Sequence, residues 1–530
     1  MHTKEMTAEA VAAAVRDGDT IVFPGDASIL VADHLMSAIE RRFLQTGHPR
    51  ALTVFEPCNA ALDEHSGVMR FAHEHMIRRI IAAAFPARIS KDPRLSRLIR
   101  EDKVEAYMLP MGILYNLLRT IAGGRPGLLS DVGTGTFADP SMGGGKLNAR
   151  TTEDLVERVT IGGRPTLCYR AMPIHIALLK ATTADAAGNL TMEKEPLTLS
   201  ILSLALAARA SGGRVYAQVE RIVDAGSLHP HHVKVPGVLV DGIVLAPDAP
   251  QSRASRHDPT ITGEQRAELG RAPVDAGADR IILARAASAL RAGWLINLGV
   301  GTADALPLLL REAGCEDLVC ATTEHGAVGG LPAQTPIFGA HFNVEALIEP
   351  TDMMDLYTGG CLDATFLGMA EVDARGNVNV SRFGERIAGS GGFVDITFST
   401  PRIFICGSFA GRGAQIATGD GSVRIEREGS QRRLVEQVQH ITLNGRQALE
   451  RGQQVTLITE RAVFTLEPDG WLLREIAPGI DPQRDLQPMM GFPLQQADRV
   501  RMFAPELLNG PGPAFDRWLR SCLKSQDPSP

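Results

Sequence analysis

The chain has 530 residues, of which 44% are hydrophobic, and its formal net charge is −7. This length exceeds what one hydrophobic core serves, so two or more domains are expected. The 54 basic and 61 acidic side chains are mixed along the sequence without a basic block, which argues against nucleic acid as a partner.

The N-terminal sequence and the cysteines predict where the protein works. The start, MHTKEMTAEAVAAAVRDGD, has charges at both ends and too short an apolar run for a signal peptide, and no stretch approaches about 18 uncharged apolar residues. We therefore expect a cytoplasmic protein without a membrane segment. No C-x-x-C pair and no Cys/His cluster at metal spacing occurs, so we expect reduced thiols and no metal among Cys58, Cys168, Cys315, Cys320, Cys361, Cys406 and Cys522.

The apolar pattern divides the chain into three parts. Residues 1–247 alternate apolar β-branched runs, such as 20–23 and 238–240, with amphipathic stretches such as 31–43, which is typical of an α/β domain. Residues 248–274 are polar, and we interpret them as a linker or long crossover. The pattern restarts with a helix-like stretch, AGADRIILARAASALRAG, and an apolar strand at 295–298, so we predict a second domain over 275–530.

A five-residue pattern, D-A-x-G-N, occurs at 185–189 and again at 373–377, each time before a new strand. Glycine and asparagine supply the positive φ angles of a tight strand-to-strand turn, so each turn alone predicts only a hairpin. The repeat suggests that the two halves are related by duplication. Related α/β halves commonly place a site between them, at the carboxyl ends of strands.

Residues 317–330, DLVCATTEHGAVGG, predict a strand that ends in Glu324 and a loop with three glycines. A glutamate carboxylate is ionised at pH 7, so it is a nucleophile that needs no activating base. The local pattern by itself favours a structural alternative, in which the carboxylate caps a following turn or helix.

Two further glycine clusters, at 299–301 and 389–392, adjoin apolar segments. Their backbone N–H groups are suited to hold an anionic oxygen, although each cluster alone is typical of a plain turn. The first continues as GVGTAD and lacks the third small residue of G-x-G-x-x-G, which disfavours a dinucleotide-binding dehydrogenase.

Several longer segments, taken in order, carry a resemblance to a known family. They are GGGKLN at 143–148, GSLHPHHVKVPG at 226–237, EHGAVGGLPA at 324–333, GGCLD at 359–363, GNVNVSRFG at 376–384 and IAPGID at 476–481. The chain resembles class I coenzyme A transferases nearly end to end, especially the single-chain acetate or propionate CoA-transferase group. That group has fused α- and β-type halves and is similar to succinyl-CoA:3-ketoacid CoA-transferase. The implied fold is two related α/β domains with mostly parallel sheets, formed by tandem duplication.

The resemblance implies that Glu324, in a pattern of the form E-x-G-x-x-G-G, is the catalytic nucleophile. It implies ping-pong transfer of CoA from a short-chain acyl-CoA to a carboxylic acid, through an acyl–glutamyl anhydride and a glutamyl–CoA thioester. Coenzyme A is then a substrate and covalent intermediate, no cofactor is tightly bound, and the chain is expected to form a homo-oligomer, a dimer or tetramer.

The resemblance also assigns supporting residues. Backbone N–H groups of Val300 and Gly391 are candidate donors to the oxyanion of each tetrahedral step. Contacts with CoA or substrate are expected from Gly299, Gly301, Gly389, Gly392 and Asn379.

The chain departs from the family pattern in three places, one of which is Thr302-Ala303-Asp304 in place of the more usual Ala/Ile-Pro-Glu after the glycine loop. Met111 replaces a frequent glutamine, and its flexible apolar side chain is expected to enlarge or dry the acyl pocket. His325 stands where relatives often have serine or aspartate, and we do not expect it to act as a base, because an ionised nucleophile needs none.

Two other functions remain open from the sequence. One is an acyl-CoA hydrolase that uses the same glutamate with water as the acceptor. The other is a non-catalytic metabolite-binding protein on the related fold.

Overall fold

The computed structural model describes residues 4–87, 89–252 and 254–525. The α-helices in these ranges are α1 (Ala8–Ala14), α2 (Asp33–Thr46), α3 (Arg94–Arg100), α4 (Met111–Ala122), α5 (Ile201–Ala210), α6 (Ala278–Ser288), α7 (Leu306–Glu312), α8 (Pro350–Thr358), α9 (Phe393–Ser399), α10 (Gly445–Glu450) and α11 (Pro513–Lys524). None of the helices in the described ranges is long and apolar enough to cross a membrane.

The strands before residue 248 are β1 (Thr20–Val22), β2 (Leu52–Glu56), β3 (Ile77–Ala82), β4 (Glu105–Met108), β5 (Gly127–Ser130), β6 (Val156–Ile161), β7 (Arg164–Arg170), β8 (Ile176–Asp185), β9 (Leu190–Thr191), β10 (Arg214–Val223), β11 (Val233–Val235) and β12 (Gly242–Leu245).

The strands after residue 274 are β13 (Leu295–Leu298), β14 (Cys320–Thr322), β15 (Ala327–Val328), β16 (Leu331–Pro332), β17 (His341–Phe342), β18 (Ala346–Leu347), β19 (Ala364–Leu367), β20 (Glu371–Asp373), β21 (Val378–Asn379), β22 (Arg382–Phe383), β23 (Arg386–Ile387), β24 (Arg402–Cys406), β25 (Ala410–Gly411), β26 (Gln415–Gly419), β27 (Ser422–Arg427), β28 (Gln431–Arg432), β29 (Leu434–Val435), β30 (Gln454–Ile458), β31 (Ala462–Glu467), β32 (Gly470–Ile476) and β33 (Gln495–Met502).

Two large sheets organise the chain. The first has the order β11-β9-β8-β1-β2-β3-β4, with β10 paired to β8 and β12, and its strands are parallel except for the β8–β9 and β9–β11 pairs. The second has the order β18-β15-β14-β13-β19-β24-β30-β31-β32-β33, and the run from β14 to β30 is parallel. These sheets confirm the predicted α/β fold class with mostly parallel sheets.

The buried apolar side chains form one connected cluster that runs through both sheets. Residues 248–252 and 254–274 form neither helix nor strand. The predicted division into domains at 1–247 and 275–530 stays a prediction.

Most predicted elements named above match the structure, with one exception. The stretch at 31–43 lies largely in α2, and the run at 295–298 is β13. The predicted strand at 238–240 is wrong. The run begins within a 3₁₀ turn, Gly237–Leu239, and Val238 is 80% exposed. Gly237 packs so closely on the turn at 185–189 that a β-carbon at 237 would lie 2.9 Å from the Asn189 backbone nitrogen. This contact fixes the position of the chain just before β12 begins.

The two D-A-x-G-N turns have the same hydrogen bonds. Asp185 Oδ1 accepts the Ala187 and Asn189 N–H groups, and its Oδ2 accepts the Asn189 side-chain amide. In the second copy Asp373 accepts the equivalent groups of Arg375 and Asn377.

Only the glycines of these turns have positive φ, +96° at Gly188 and +79° at Gly376, so the predicted positive φ of the asparagines is wrong. Each asparagine instead accepts a distant glycine N–H on its Oδ1, from Gly237 at 2.7 Å in the first copy and from Gly445 at 3.2 Å in the second. The repeated pattern supports duplication of one unit.

Replacing either turn aspartate by alanine leaves several N–H groups without their acceptors, most of them partly buried in the first turn and two of them buried in the second. We expect Asp185→Ala and Asp373→Ala each to destabilise the protein by roughly 2–4 kcal/mol. Urea denaturation followed by circular dichroism measures this, and Asp248→Ala, at a side chain 91% exposed, is the control. Unchanged midpoints in the two turn variants would show that water replaces these bonds without loss.

Candidate active site

Glu324 lies in the tight turn that joins β14 to the antiparallel strand β15. The Gly326 N–H donates to the Thr323 carbonyl at 3.1 Å, and the Gly326 carbonyl accepts the Ile348 N–H at 2.9 Å. Gly326 has φ +107°, and a β-carbon would collide with the Ile348 carbonyl oxygen, so the turn requires glycine. Because a strand follows this turn, the alternative that Glu324 caps a helix is wrong.

Glu324 is 7% exposed, and its buried Oε2 has no hydrogen-bond partner among the described residues. Burial raises the pKa of this carboxyl above its ordinary value, while His325 and the Asn297 side chain oppose the rise. A carboxylate removed from water and only partly hydrogen-bonded is poorly stabilised, so it is well suited to attack a carbonyl carbon.

A buried polar network supports the turn from the neighbouring strand. The Asn297 side-chain amide donates to the Tyr357 hydroxyl at 3.1 Å, and that hydroxyl donates to Thr322 Oγ1 at 2.9 Å. The Thr365 hydroxyl donates to Asn297 Oδ1 at 3.1 Å. The sequence analysis did not identify these residues. Polar side chains within short apolar strands could have indicated a buried hydrogen-bond network.

The loop at 299–301 leaves the carboxyl end of β13, next to the end of β14 that leads to Glu324. The Gly299 N–H donates to the Phe366 carbonyl at 2.9 Å, whereas the Val300 N–H has no acceptor in the described part of the chain. Gly301 has φ +129° and its N–H approaches Asp304 Oδ2 at 3.4 Å. Of this loop, the Val300 amide is the group left available to a ligand.

The loop at 389–392 joins the two halves. The Gly391 N–H donates to the Ala83 carbonyl at 3.0 Å, and the Gly391 carbonyl accepts the Met111 N–H at 3.1 Å. The predicted role of Gly391 as an oxyanion donor therefore has no support in this geometry and stays a prediction. Gly392 lies beside Glu324, since a β-carbon there would be 3.2 Å from Glu324 Cβ, and its N–H has no acceptor among the described residues.

The Gly389 backbone N–H and the Asn379 side-chain amide both donate hydrogen bonds to other groups of the protein. Gly389 pairs with Ala84 across the junction and donates its N–H to the Ser381 carbonyl at 3.0 Å. The Asn379 side-chain amide donates to Glu371 at 2.7 Å and to the Arg382 carbonyl at 2.6 Å. Their predicted contact with CoA or substrate has no support in these contacts and stays a prediction.

The first half contributes ionisable groups that the sequence analysis missed. Asp26 follows β1, Glu56 ends β2 and Cys58 follows it, so all three lie at the carboxyl edge of parallel strands. Glu56 accepts the Ala60 N–H at 2.5 Å, and burial raises its pKa to about 8. Their position at the carboxyl ends of predicted strands could have identified these residues as part of a site.

Met111 begins α4 and is 3% exposed, with its Sδ 3.9 Å from Cys58 Sγ. The Cys58 sulfur lies 2.9 Å from the Tyr115 hydroxyl. The predicted pocket residue is thus packed among first-half side chains at the junction.

Asp395 of α9 ties the start of α4 to the second half. The Gly112 N–H donates to Asp395 Oδ2 at 3.0 Å, and a β-carbon at 112 would lie 2.5 Å from Asp395 Oδ1. Burial raises the pKa of this carboxyl to about 7, and Glu324 contributes to the rise. The two halves therefore meet through a buried acid close to Glu324.

His325 extends from the turn into the first half, where its Nε2 lies 3.3 Å from Asp26 Oδ2. Within the described ranges, one ligand atom each from Asp26, Cys58 and His325 lie within 4.8 Å of one another, so these side chains form a candidate metal-binding group. Their separation along the sequence explains why cysteine spacing did not predict the cluster.

Comparison with known proteins agrees with this architecture. Residues 4–246 match the model of a family described as coenzyme A transferase. The chain is 38% identical over 509 residues to caffeate CoA-transferase of Acetobacterium woodii, covering 94% of this chain and 96% of that protein. It is also 38% identical over 471 residues to acetate CoA-transferase YdiF of Escherichia coli strain K12, covering 88% of this chain and 87% of that protein.

Solved structures give the same result. The acyl-CoA transferase YdiF apoenzyme from Escherichia coli O157:H7 superposes with a TM-score of 0.90 at 35% identity, and the match covers 96% of both chains. The same enzyme, as a thioester complex with CoA, matches with the same score, identity and coverage. The chain therefore belongs to the coenzyme A transferase family.

Proposed function

We propose that the chain transfers coenzyme A between a short-chain acyl-CoA and a carboxylic acid through covalent intermediates on Glu324. The observation that carries this proposal is the buried carboxylate with an unpartnered oxygen, placed where the strand ends of two sheets meet. The relatives named for acetate and caffeate, and the YdiF enzyme captured as a thioester with CoA, support it.

The reaction starts when the Glu324 carboxylate attacks the carbonyl carbon of the acyl-CoA. The C–S bond breaks, giving an acyl–glutamyl anhydride and a CoA thiolate. The thiolate then attacks the glutamyl carbonyl, the anhydride C–O bond breaks, and the donor acid leaves as its carboxylate. The product is a glutamyl–CoA thioester, which conserves the energy of the original thioester.

The acceptor carboxylate reverses this sequence. It attacks the glutamyl–CoA carbonyl, expels the thiolate and forms a second anhydride. The thiolate attacks the acceptor acyl carbon, which releases the new acyl-CoA and restores the Glu324 carboxylate. No net proton is taken up or released, so the proposed cycle requires no separate base.

Each tetrahedral step places negative charge on a carbonyl oxygen. Backbone donors for this charge are proposed at Val300 and Gly391, and the N–H of Gly392, beside Glu324, is a further donor that this geometry supports. Loss of one such donor typically lowers the rate by about 100- to 1000-fold. Coenzyme A acts as a substrate and covalent intermediate without a tightly bound cofactor, and we also propose assembly as a dimer or tetramer.

A transfer reaction requires that water does not reach the intermediates, and the burial of Glu324 favours transfer over hydrolysis. The test is to supply acetyl- or propionyl-CoA with and without short-chain acids. We expect new acyl-CoA to form with little free thiol. Rapid thiol release that is independent of an added acid would instead assign a hydrolase, and CoA binding without either reaction would assign a binding protein.

Shortening the nucleophile is a direct test of its position. Glu324→Asp withdraws the carboxylate by about 1.5 Å, so we expect turnover to fall by roughly 100-fold or more while CoA affinity is unchanged. Steady-state kinetics and calorimetric CoA binding measure the two effects, and Glu436→Asp, at an exposed residue, is the control. Turnover close to that of the unaltered enzyme would remove Glu324 from the mechanism.

Met111→Gln tests the acyl pocket. The substitution places an amide near Cys58 and Tyr115, so we expect acids that carry a hydroxyl or amide to gain by roughly tenfold over purely aliphatic acids. A panel of carboxylate acceptors measures the ranking, with Met142→Gln, at a residue 50% exposed, as the control. An unchanged ranking would show that Met111 does not line the pocket.

A further inference from the structure

Three potential metal ligands from distant parts of the chain converge where the two halves meet. Within the described ranges, one ligand atom each from Asp26, Cys58 and His325 lie within 4.8 Å of one another. A point central to three atoms so spaced is at most about 2.8 Å from each, whereas bonds to zinc are about 2.0–2.3 Å long. Side-chain shifts of less than about 1 Å therefore bring all three atoms within bonding distance of one ion.

The His325 ring lies in this cluster without a hydrogen bond. His325 is 2% exposed, and neither ring nitrogen has a hydrogen-bond partner among the described residues. Asp26 Oδ2 lies 3.3 Å from Nε2, but the contact does not have hydrogen-bond geometry. Buried polar groups are normally hydrogen-bonded, so an imidazole that approaches a carboxylate and a sulfur without bonding to either indicates a ligand position.

The surroundings of the ring determine which nitrogen faces the cluster. The ring meets Phe338 edge-on, with ring centres 5.8 Å apart. Gly339 packs against the other nitrogen, since a β-carbon there would lie 2.7 Å from His325 Nδ1. Nδ1 is thus closed off by packing, and Nε2, next to Asp26, is the nitrogen left for a metal ion.

The two ligands of the first half are held by neighbouring groups. The Cys58 Sγ lies 2.9 Å from the Tyr115 hydroxyl, which is placed to donate to the sulfur when it is a thiolate. The Asp26 backbone exchanges hydrogen bonds with Ile29 at 3.1 and 2.8 Å. Such outer contacts orient ligands before a metal arrives. The Asp26 side chain is 15% exposed, which gives an ion a route from solvent.

The donor atoms define the class of ion. An imidazole nitrogen, a thiolate and a carboxylate together suit zinc and neighbouring transition metals, whereas magnesium and calcium prefer oxygen ligands alone. A divalent ion balances the charges of the thiolate and the carboxylate, so the occupied site is neutral overall and tolerates burial. Three protein ligands leave a fourth tetrahedral position for water or another small ligand.

We propose that Asp26, Cys58 and His325 bind a divalent transition metal ion of the zinc class. Asp26 and Cys58 belong to the first half and His325 to the second, so the bound ion links the two halves at their junction and stabilises the folded protein. The ion takes no part in the proposed transfer cycle. The inference does not rest on the proposed function, because none of the three ligands is Glu324.

The test is a titration of the protein with Co²⁺, a spectroscopic substitute for Zn²⁺, after dialysis against a chelator. We expect one Co²⁺ per chain, visible bands of tetrahedral coordination and a near-ultraviolet charge-transfer band from a thiolate ligand. Zn²⁺ is expected to displace Co²⁺ and to raise the melting temperature, and Mg²⁺ is expected to do neither.

Single substitutions locate the bound ion. We expect Cys58→Ser to abolish the charge-transfer band, and Asp26→Asn and His325→Gln each to weaken Co²⁺ binding by roughly 100-fold. The matched controls are Cys406→Ser, at another buried free thiol, and His440→Gln, at a histidine outside the cluster. Both controls are expected to bind Co²⁺ as the unaltered protein does.

X-ray absorption spectroscopy of the unaltered protein with bound Zn²⁺ gives an answer that does not depend on whether a variant folds. One sulfur and at least one imidazole nitrogen are expected among the atoms bound to zinc. A zinc ion without a sulfur ligand, a charge-transfer band that persists in Cys58→Ser, or no metal binding by the unaltered protein would each overturn the inference. None of these measurements follows acyl transfer, so their failure and the failure of the proposed function are distinguishable.

Discussion

One residue of the loop at 389–392, Gly391, sets the geometry on which the site depends. The amide of Gly391 is hydrogen-bonded to the Ala83 carbonyl, and its carbonyl accepts the Met111 N–H, so both polar groups are tied to the other half of the chain. Gly392 follows directly and lies close to Glu324, since a β-carbon there would be 3.2 Å from Glu324 Cβ, so the loop fixes Glu324 relative to the strand ends of the first sheet. Because main-chain atoms make these contacts, the distance between the halves is not adjusted by side-chain rotation. Gly389 shows how close the approach is, since a β-carbon there would collide with Ala84.

The site concentrates carboxyl groups where there is little water, and this has a cost in stability. Asp395 and Glu56 have pKa values of about 7 and about 8 in the folded protein, above those of exposed carboxyls. A group whose pKa is raised by folding stabilises the fold fully below its unfolded pKa, and that contribution is lost as pH rises through the folded pKa. Both acids therefore weaken the fold progressively from about pH 4 to about pH 8. With respect to these two carboxyls, the fold is more stable in acid than at neutral pH.

The sequence predicted the class of fold, which the structure confirms, and it singled out Glu324 as the proposed nucleophile, but it predicted little of what surrounds that residue. Glu324 was identified because a contiguous motif contains it, and β13 because four apolar residues precede a glycine loop. Asp26 and Cys58 were missed because they come from different strand ends and meet His325 only after the two sheets are joined. The run at 238–240 was mistaken for a strand because apolar composition does not reveal that the Gly237 N–H is hydrogen-bonded to the distant Asn189 side chain. Local pattern predicts elements, whereas the site is made by contacts between residues far apart in the sequence.

The repeated aspartate turns have a consequence for how the chain is organised. In the first copy the aspartate, asparagine and distant glycine all lie between 185 and 237, and in the second they lie between 373 and 445. Neither closure borrows an atom from the other half, and residues 248–274 lie between them. Each turn is thus closed by residues of its own half, so neither closure depends on residues 248–274. The two halves are nevertheless not independent, because one buried apolar cluster runs through both sheets.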